Sequence, residues 1–378
     1  MKRFLLFLAA TAACVASADA DLVSNVSARQ VSPWPLLEIS YDLAEDIQPS
    51  QAGYSLLTDV IVTDQEHGTN YTATTFREPP TYTQGRHTLL WDMAADGAEF
   101  QSCDVVATVS IEERSLAYCV VDLSAGASAS SYPVSYLYAE PSGGVNKDEY
   151  KTTKLILKRL SHGSFKMQGS TTTTLTQDFY MGVFEVTQKQ WELVMGSNPS
   201  NFKGDTLPVE KVSYNAIRGS SNGAQWPSSS AVDSSSFLGK LQAKTGLAFD
   251  LPTEAQWEYA CRARTTTIYY WGNSMNGNYA WYTSNSSSKT HPVGGKTPNA
   301  WGLYDMSGNV WEWCLDWYGT LSYGTDPKGS SSGSSRVMRG GSWLGNESYC
   351  ESSYRSRSNP LNTLSYDDLG FRLSRTLP

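Results

Sequence analysis

Histidine is scarce in this 378-residue chain, with four copies. The two in its C-terminal part, His162 and His291, are far apart and form no metal-ligand spacing, so a facial iron triad is not expected. There is no C-x-x-C and no P-loop, which removes thioredoxin-type redox chemistry and phosphate cradling; the G-x-S-x-G string at Gly329–Gly333 is a serine run in a Ser/Gly-rich loop rather than a nucleophile elbow between a strand and a helix. Basic residues are outnumbered, 29 Lys+Arg against 37 Asp+Glu for a net charge of -8, and they are not clustered. Nucleic acid and anionic membrane are therefore not expected partners. No segment after the first twenty residues is apolar for the length of a membrane span. Cysteine is sparse too. Cys14 lies in the first twenty residues, and the other five, Cys103, Cys119, Cys261, Cys314 and Cys350, are odd in number, so at least one thiol has no partner within the chain. Such usage excludes a disulfide scaffold and points to packed cores.

What is present begins with MKRFLLFLAATAACVASADA. Lys2 and Arg3 precede an apolar run from Phe4 to Val15, and Ala18 and Ala20 form an A-x-A cleavage site, so residues 1–20 read as a signal peptide and the protein as exported. Residues 21–125 hold short runs rich in Val, Ile, Thr, Tyr and Leu, punctuated by Pro, Gly, Asn and Asp near every ten residues, as in an immunoglobulin- or fibronectin-like β-sandwich. Trp91 reads as core there. The strands around Cys103 and Cys119 can form a hairpin that bridges the two thiols, or the thiols can be buried separately. Residues 126–150, rich in Ser, Ala, Gly and Pro, read as a linker. Residues 151–378 form a second domain, rich in Trp, Tyr and Gly.

Three helices can be placed there from their caps. Thr187 with Gln190, and Thr253 with Gln256, are capping boxes. Gly196 and Gly246 are stops, the latter ending a helix with Phe237, Leu238 and Leu241 on one face. Trp257 and Cys261 share a face four residues apart, which makes Cys261 a small buried hydrophobe. In Asp305-Met306-Ser307-Gly308-Asn309-Val310-Trp311-Glu312, two carboxylates flank a glycine turn whose carbonyls can point inward. Such oxygens suit Ca²⁺; the alternative is that Asp305 caps a turn and Glu312 pairs with an arginine. Trp311, Trp313, Trp317 and Trp343 form an aromatic set, with Trp313 read as core and the others as core or as the lining of a peptide groove.

MGVFEVTQKQWELVMGSNPSNF (181–202), LPVEKVSYNAI (207–217), LPTEAQWEYACRAR (251–264), YYWGN (269–273), NAWGLYDMSGNVWEW (299–313), MRGGSW (338–343) and DLGFRL (368–373) occur in this order. Together they resemble the formylglycine-generating enzyme, or sulfatase-modifying factor, family. The resemblance implies an α+β, C-type-lectin-like domain with little regular secondary structure behind the all-β sandwich. It implies structural calcium on the side chains of Asp305 and Glu312 and the backbone oxygens of Gly308 and Val310. A second family calcium site is not carried over, because Trp281 stands where members have asparagine after Tyr-Ala. Leu373 follows Gly-Phe-Arg, so Cys261 also lacks the disulfide partner of some members.

Aerobic members oxidise a cysteine of a sulfatase precursor with Cu(I) and O₂, using two cysteines five residues apart after Gly-Gly-Ser-aromatic. Here Gly340-Gly341-Ser342-Trp343 is followed by Gly345 and Cys350, so the second cysteine is present and the first is glycine. One thiolate is a poor Cu(I) site, and copper is not expected. The expectation is an exported, divergent member that keeps a calcium-stabilised scaffold and binds a peptide or protein ligand. The alternatives are an active formylglycine-generating oxidase acting on a sulfatase, with Cys350, Ser342, Trp311 and Arg355 around its site, and a structural envelope module.

Overall fold

The computed structural model describes residues 22–31, 36–44, 47, 54–98, 105–361 and 366–377. The signal-peptide reading of residues 1–20 lies outside them. The chain divides into two compact units, Met1–Ser115 and Leu116–Pro378.

The first unit is built from two three-stranded antiparallel sheets. One joins β1 (Val23–Val31), β2 (Leu36–Leu43) and β5 (Gly85–Asp92), and the other joins β4 (Thr69–Ala73), β3 (Tyr54–Asp64) and β6 (Val105–Ser115). The period of two sends Leu37, Ile39 and Tyr41 of β2, Leu89 and Trp91 of β5, Val60 and Val62 of β3, and Val105, Ala107 and Val109 of β6 into one apolar cluster. Trp91 is fully buried, as expected, and its indole N–H donates to Asp96 at 2.7 Å.

The domain boundary falls earlier than the sequence indicates. Strand β7 (Tyr118–Asp122) belongs to the second unit, in a five-stranded sheet ordered β18-β12-β9-β7-β8 with β8 (Val134–Leu137), β9 (Lys154–Leu160), β12 (Phe179–Gly182) and β18 (Ser374–Thr376). Residues 126–150 are therefore not a free linker. Their Ser, Gly and Pro make turns, while Tyr132, Val145 and Tyr150 are buried, and the Tyr132 hydroxyl donates to the Leu193 carbonyl at 2.9 Å. The hairpin between the two cysteine-bearing strands does not form either. β6 pairs with β3, whereas β7 pairs with β8 and β9, and Cys119 is a buried free thiol; Cys103 lies outside the described residues.

Two smaller sheets complete the second unit. β10 (Gly163–Met167), β11 (Thr171–Leu175) and β14 (Gly324–Thr325) form one; β16 (Arg355–Ser358), β15 (Arg336–Arg339), β13 (Trp311–Trp317) and β17 (Leu369–Gly370) form the other. Both capping boxes form, at the starts of α1 (Gln188–Met195) and α4 (Glu254–Arg262). Gly196 ends α1 at φ 85°, and Gly246 ends α3 (Phe237–Thr245) at φ 71°. A short α2 (Tyr214–Arg218) precedes α3. Trp257, Cys261 and Trp313 are fully buried. The unit is thus mostly β with few helices.

Candidate functional site

Helix α4 fixes the four-stranded sheet through buried charge. Glu254 accepts both Arg355 Nε and Nη2, at 2.8 and 2.7 Å, and Glu258 accepts Arg262 at 2.9 Å and Arg339 at 2.5 Å. The Trp257 indole donates to Glu312 Oε2 at 2.7 Å, and Arg372 grips the same carboxylate from the other side at 2.6 and 2.7 Å. These pairs order β13, β15 and β16, and with them the turns that follow Arg339 and precede Trp311.

The turn after Arg339 carries Ser342 and leads to Cys350. Gly341 sits at φ 77°, and a Cβ on it would lie 2.8 Å from the Tyr349 carbonyl oxygen, so the two ends of this loop touch through backbone. Ser342 is buried and its hydroxyl donates to Asp368 Oδ2 at 2.6 Å. Burial raises the Asp368 carboxyl, an effect the Ser342 hydrogen bond opposes. Cys350 closes a short turn, Glu347–Cys350, and is fully buried; burial pushes its thiol up to about 12. Its carbonyl accepts the Ser307 hydroxyl at 2.9 Å. The Trp311 ring lies 5.8 Å from that of Tyr349, which is 4.8 Å from that of Tyr354.

Gly345 occupies the position that decides the chemistry. A Cβ there would meet Tyr349 Cδ2 at 2.9 Å, so the ring fills the space of a side chain at 345. Of the four residues expected around a reaction centre, Trp311 opens β13 directly after the Ser307–Val310 turn, and that turn bonds to the loop carrying Ser342 and Cys350 through Trp343 N–H to the Asn309 carbonyl at 2.8 Å and Ser307 to the Cys350 carbonyl. Arg355 is committed elsewhere, with its guanidinium on Glu254 and on the Gly319 carbonyl. The Ser342 hydroxyl and the Cys350 thiol are both buried.

The family model for sulfatase-modifying factor enzyme 1-like domains matches residues 143–377. The chain belongs to this family. Over 231 residues it is 32% identical to chaperone protein LppX of Paenibacillus barcinonensis, a match covering 51% of this chain and 80% of that one. It is 39% identical over 142 residues to the formylglycine-generating enzyme of Streptomyces coelicolor, covering 32% of this chain and 45% of that enzyme. The chain thus spans less than half the length of that enzyme. Among solved structures, Treponema denticola variable protein 1 is similar with 32% identity and a TM-score of 0.48, covering 59% of this chain and 95% of that one.

Within this family domain the loop expected to hold calcium is buried. Gly308 takes φ 83° with its Cβ position 2.2 Å from the Trp281 carbonyl oxygen, so only glycine fits. Asp305 sits at φ 54°, and its Oδ2 accepts the Gly294 N–H at 2.6 Å. Glu185, a residue the sequence reading gave no role, accepts the Val310 N–H at 3.1 Å and the Asn309 amide at 2.7 Å. Burial, with Asp305 and Glu312 nearby, raises the Glu185 carboxyl well above its ordinary range; burial raises Asp305 too. Three carboxyl groups therefore share one buried cation, Arg372, with Lys151 and Lys296 at longer range. The carboxyl and carbonyl oxygens gathered here are the donor type a divalent cation takes. Glu312 is the member already taken, by Arg372 and Trp257. Among the described residues no three Asp, Glu, His or Cys side chains converge as a metal cage, so an ion here needs the backbone oxygens of Gly308 and Val310 as well as Asp305.

Proposed function

We propose that this chain is an exported, non-catalytic member of the sulfatase-modifying factor family that binds a peptide segment of a protein partner. The observation that carries this reading is Gly345 with the Tyr349 ring against it, beside a Cys350 thiol that is fully buried and neutral at physiological pH. Cu(I) needs thiolates, and this loop offers one sulfur, protonated and enclosed. What remains accessible is a partly aromatic surface: Leu344 is 59% exposed, next to Trp343, and Tyr349 and Tyr354 are half-buried beside Trp311. Aromatic side chains offer large contact area at low entropy cost, which suits peptide recognition.

In this reading calcium is structural. Asp305 and the carbonyl oxygens of Gly308 and Val310 would hold it, with Glu312 behind them on Arg372, and the ion would neutralise the buried surplus of charge. The N-terminal unit, as an immunoglobulin- or fibronectin-like sandwich, would space or dock this domain outside the cytoplasm.

Co-expression with a sulfatase peptide containing C-x-P-x-R, followed by mass spectrometry, tests the reading. The peptide cysteine should return unchanged. Its conversion to the aldehyde, abolished by Cys350→Ser, would establish an active oxidase and overturn the proposal.

A further inference from the structure

A cavity of about 720 Å³ opens in the second unit, away from the Trp311 and Cys350 turns. The segment joining α3 to α4 forms one wall, with Phe249, Asp250 and Leu251. Trp226 and the 326–328 turn form another, and β18 forms the third, with Ser374 and Thr376. Its volume is in the range of small-ligand and short-peptide sites.

Three features say what it would hold. The first is charge. Both carboxylates in the lining are internally engaged: Asp250 holds Arg218 at 2.7 and 2.8 Å, and Asp326 accepts the Thr176 N–H at 2.9 Å. Lys328, exposed at the rim with its ammonium 5.7 Å from the Trp226 ring centre, has no ion pair among the described residues. The unsatisfied charge is thus positive. The second is a buried hydroxyl. Ser374 is 2% exposed, lines the cavity, and its Oγ has no hydrogen-bond partner. A buried polar group without a partner is costly, and a ligand group relieves that cost.

The third is a strand edge. β18 ends the five-stranded sheet and, among the described residues, bonds outward only through Ser374, whose N–H and carbonyl pair with Asp250 at 2.7 and 2.8 Å. On its inner side β12 is engaged by the alternate residues, Leu377 N–H reaching the Asp178 carbonyl at 2.8 Å. By the two-residue period, the backbone N–H and carbonyl of Thr376 face the same outer edge as those of Ser374, where among the described residues no backbone partner meets them.

We propose that this cavity is a second binding site, which takes an extended peptide added to the outer edge of β18 at Thr376 and sets an acidic group of that peptide on Lys328. Strand addition supplies backbone hydrogen bonds, and the walls at Trp226, Ala231 and Ala248 receive alternate apolar side chains.

The test uses the full chain and an N-terminally labelled peptide of alternating valine and threonine with a free C-terminal carboxylate, read by fluorescence anisotropy. The peptide should bind saturably. Lys328→Glu, an exposed change, should weaken it at least about tenfold, as loss of a charge-assisted bond does. Thr376→Pro removes the outward N–H and should abolish binding, while Thr376→Ala, which keeps that N–H, should restore it; unfolding temperatures of the variants check the fold. Competition by the C-terminal amide should be weaker than by the acid. No binding of the peptide, binding indifferent to Lys328→Glu and Thr376→Pro, or a rise in unfolding temperature with decanoate while the peptide does not bind would overturn the proposal, the last by making the site one for a fatty acid.

Discussion

Replacing Gly345 by cysteine would recreate, in sequence, the missing half of a copper pair, and the structure says what it would cost. Gly345 is not in the left-handed region, so its backbone accepts a side chain; the obstacle is the Tyr349 ring, 2.9 Å from the new Cβ. That ring lies 4.8 Å from Tyr354 and 5.8 Å from Trp311 and cannot yield without disturbing them. Overpacking of this kind costs about 1–3 kcal/mol. Replacing a glycine at a tolerant backbone position returns about 0.4–1 kcal/mol through the unfolded chain. The net is a loss of about 1–2 kcal/mol, or roughly 2–8 °C in unfolding temperature for a unit of this size. Thermal unfolding of Gly345→Cys, Tyr349→Ala and the double variant measures it, with a coupling of about 1 kcal/mol or more expected because the ring and the thiol compete for one space. Gly345→Cys should also gain no tight Cu(I) site in competition with a chromogenic chelator, since its would-be partner Cys350 is enclosed and protonated. A stable Gly345→Cys protein, additive with Tyr349→Ala, or one that strips copper from the chelator, would refute the account.

Other expectations follow from the buried charges. Arg372→Met should destabilise the second unit by about 3–5 kcal/mol in denaturant unfolding, because it leaves Glu312 buried without its counter-charge; a loss within experimental error would mean the pair does not hold the loop. Calcium at about 100 times its Kd should add about 2.7 kcal/mol, seen as a rise in unfolding temperature that EDTA reverses and Asp305→Ala abolishes; an EDTA-insensitive wild-type protein would remove calcium from the proposal. Glu210 accepts the Phe202 N–H at 2.9 Å through Oε1, leaves Oε2 without a partner, and is pushed by burial from 4.5 to about 7. Its favourable contribution is complete below about pH 4.5 and is lost as pH rises through 7, so Glu210→Gln should gain stability relative to wild type across that window, by about 1.4 kcal/mol per pH unit at most. A difference that stays flat between pH 5 and 8 would show that Glu210 titrates normally.

The parts of the fold legible in the sequence were those whose cause is local. A capping box is satisfied by residues three apart, so Thr187 with Gln190 and Thr253 with Gln256 announce α1 and α4 before any tertiary contact is known. The same holds for Gly196 and Gly246, and for the buried face shared by Trp257 and Cys261. The allegiance of β7 was not legible. Its unbroken apolar run, Tyr118 to Val121, states that both faces are covered and is silent on what covers them, so Tyr118–Asp122 joined the wrong domain on paper. The 126–150 segment misled through composition. Its small residues outnumber Tyr132 and Val145, yet buried aromatics and aliphatics anchor a segment however many serines surround them.

The candidate site divides along the same line. Asp305, Gly308, Ser342 and Cys350 could be picked out because their types and spacing are unusual. Their surroundings could not, because Asp368 reaches Ser342, Glu185 reaches Asn309 and Val310, and Arg372 makes the arginine pair of Glu312, all from remote parts of the chain. Arg372 changes the meaning of Glu312, from a ligand free to bind an ion to one side of a buried ion pair. Tyr349 changes the meaning of Gly345 in the same way. In sequence, Gly345 is a deletion of one ligand, reversible by one substitution. In the structure the volume of a side chain at 345 is filled by a ring tilted against Tyr354 at 4.8 Å and near Trp311 at 5.8 Å, so the loop is packed around the glycine. Restoring a thiol at 345 would therefore require moving Tyr349 and uncovering Cys350 together, so the glycine, the ring and the buried cysteine act as one packed unit rather than as three independent positions.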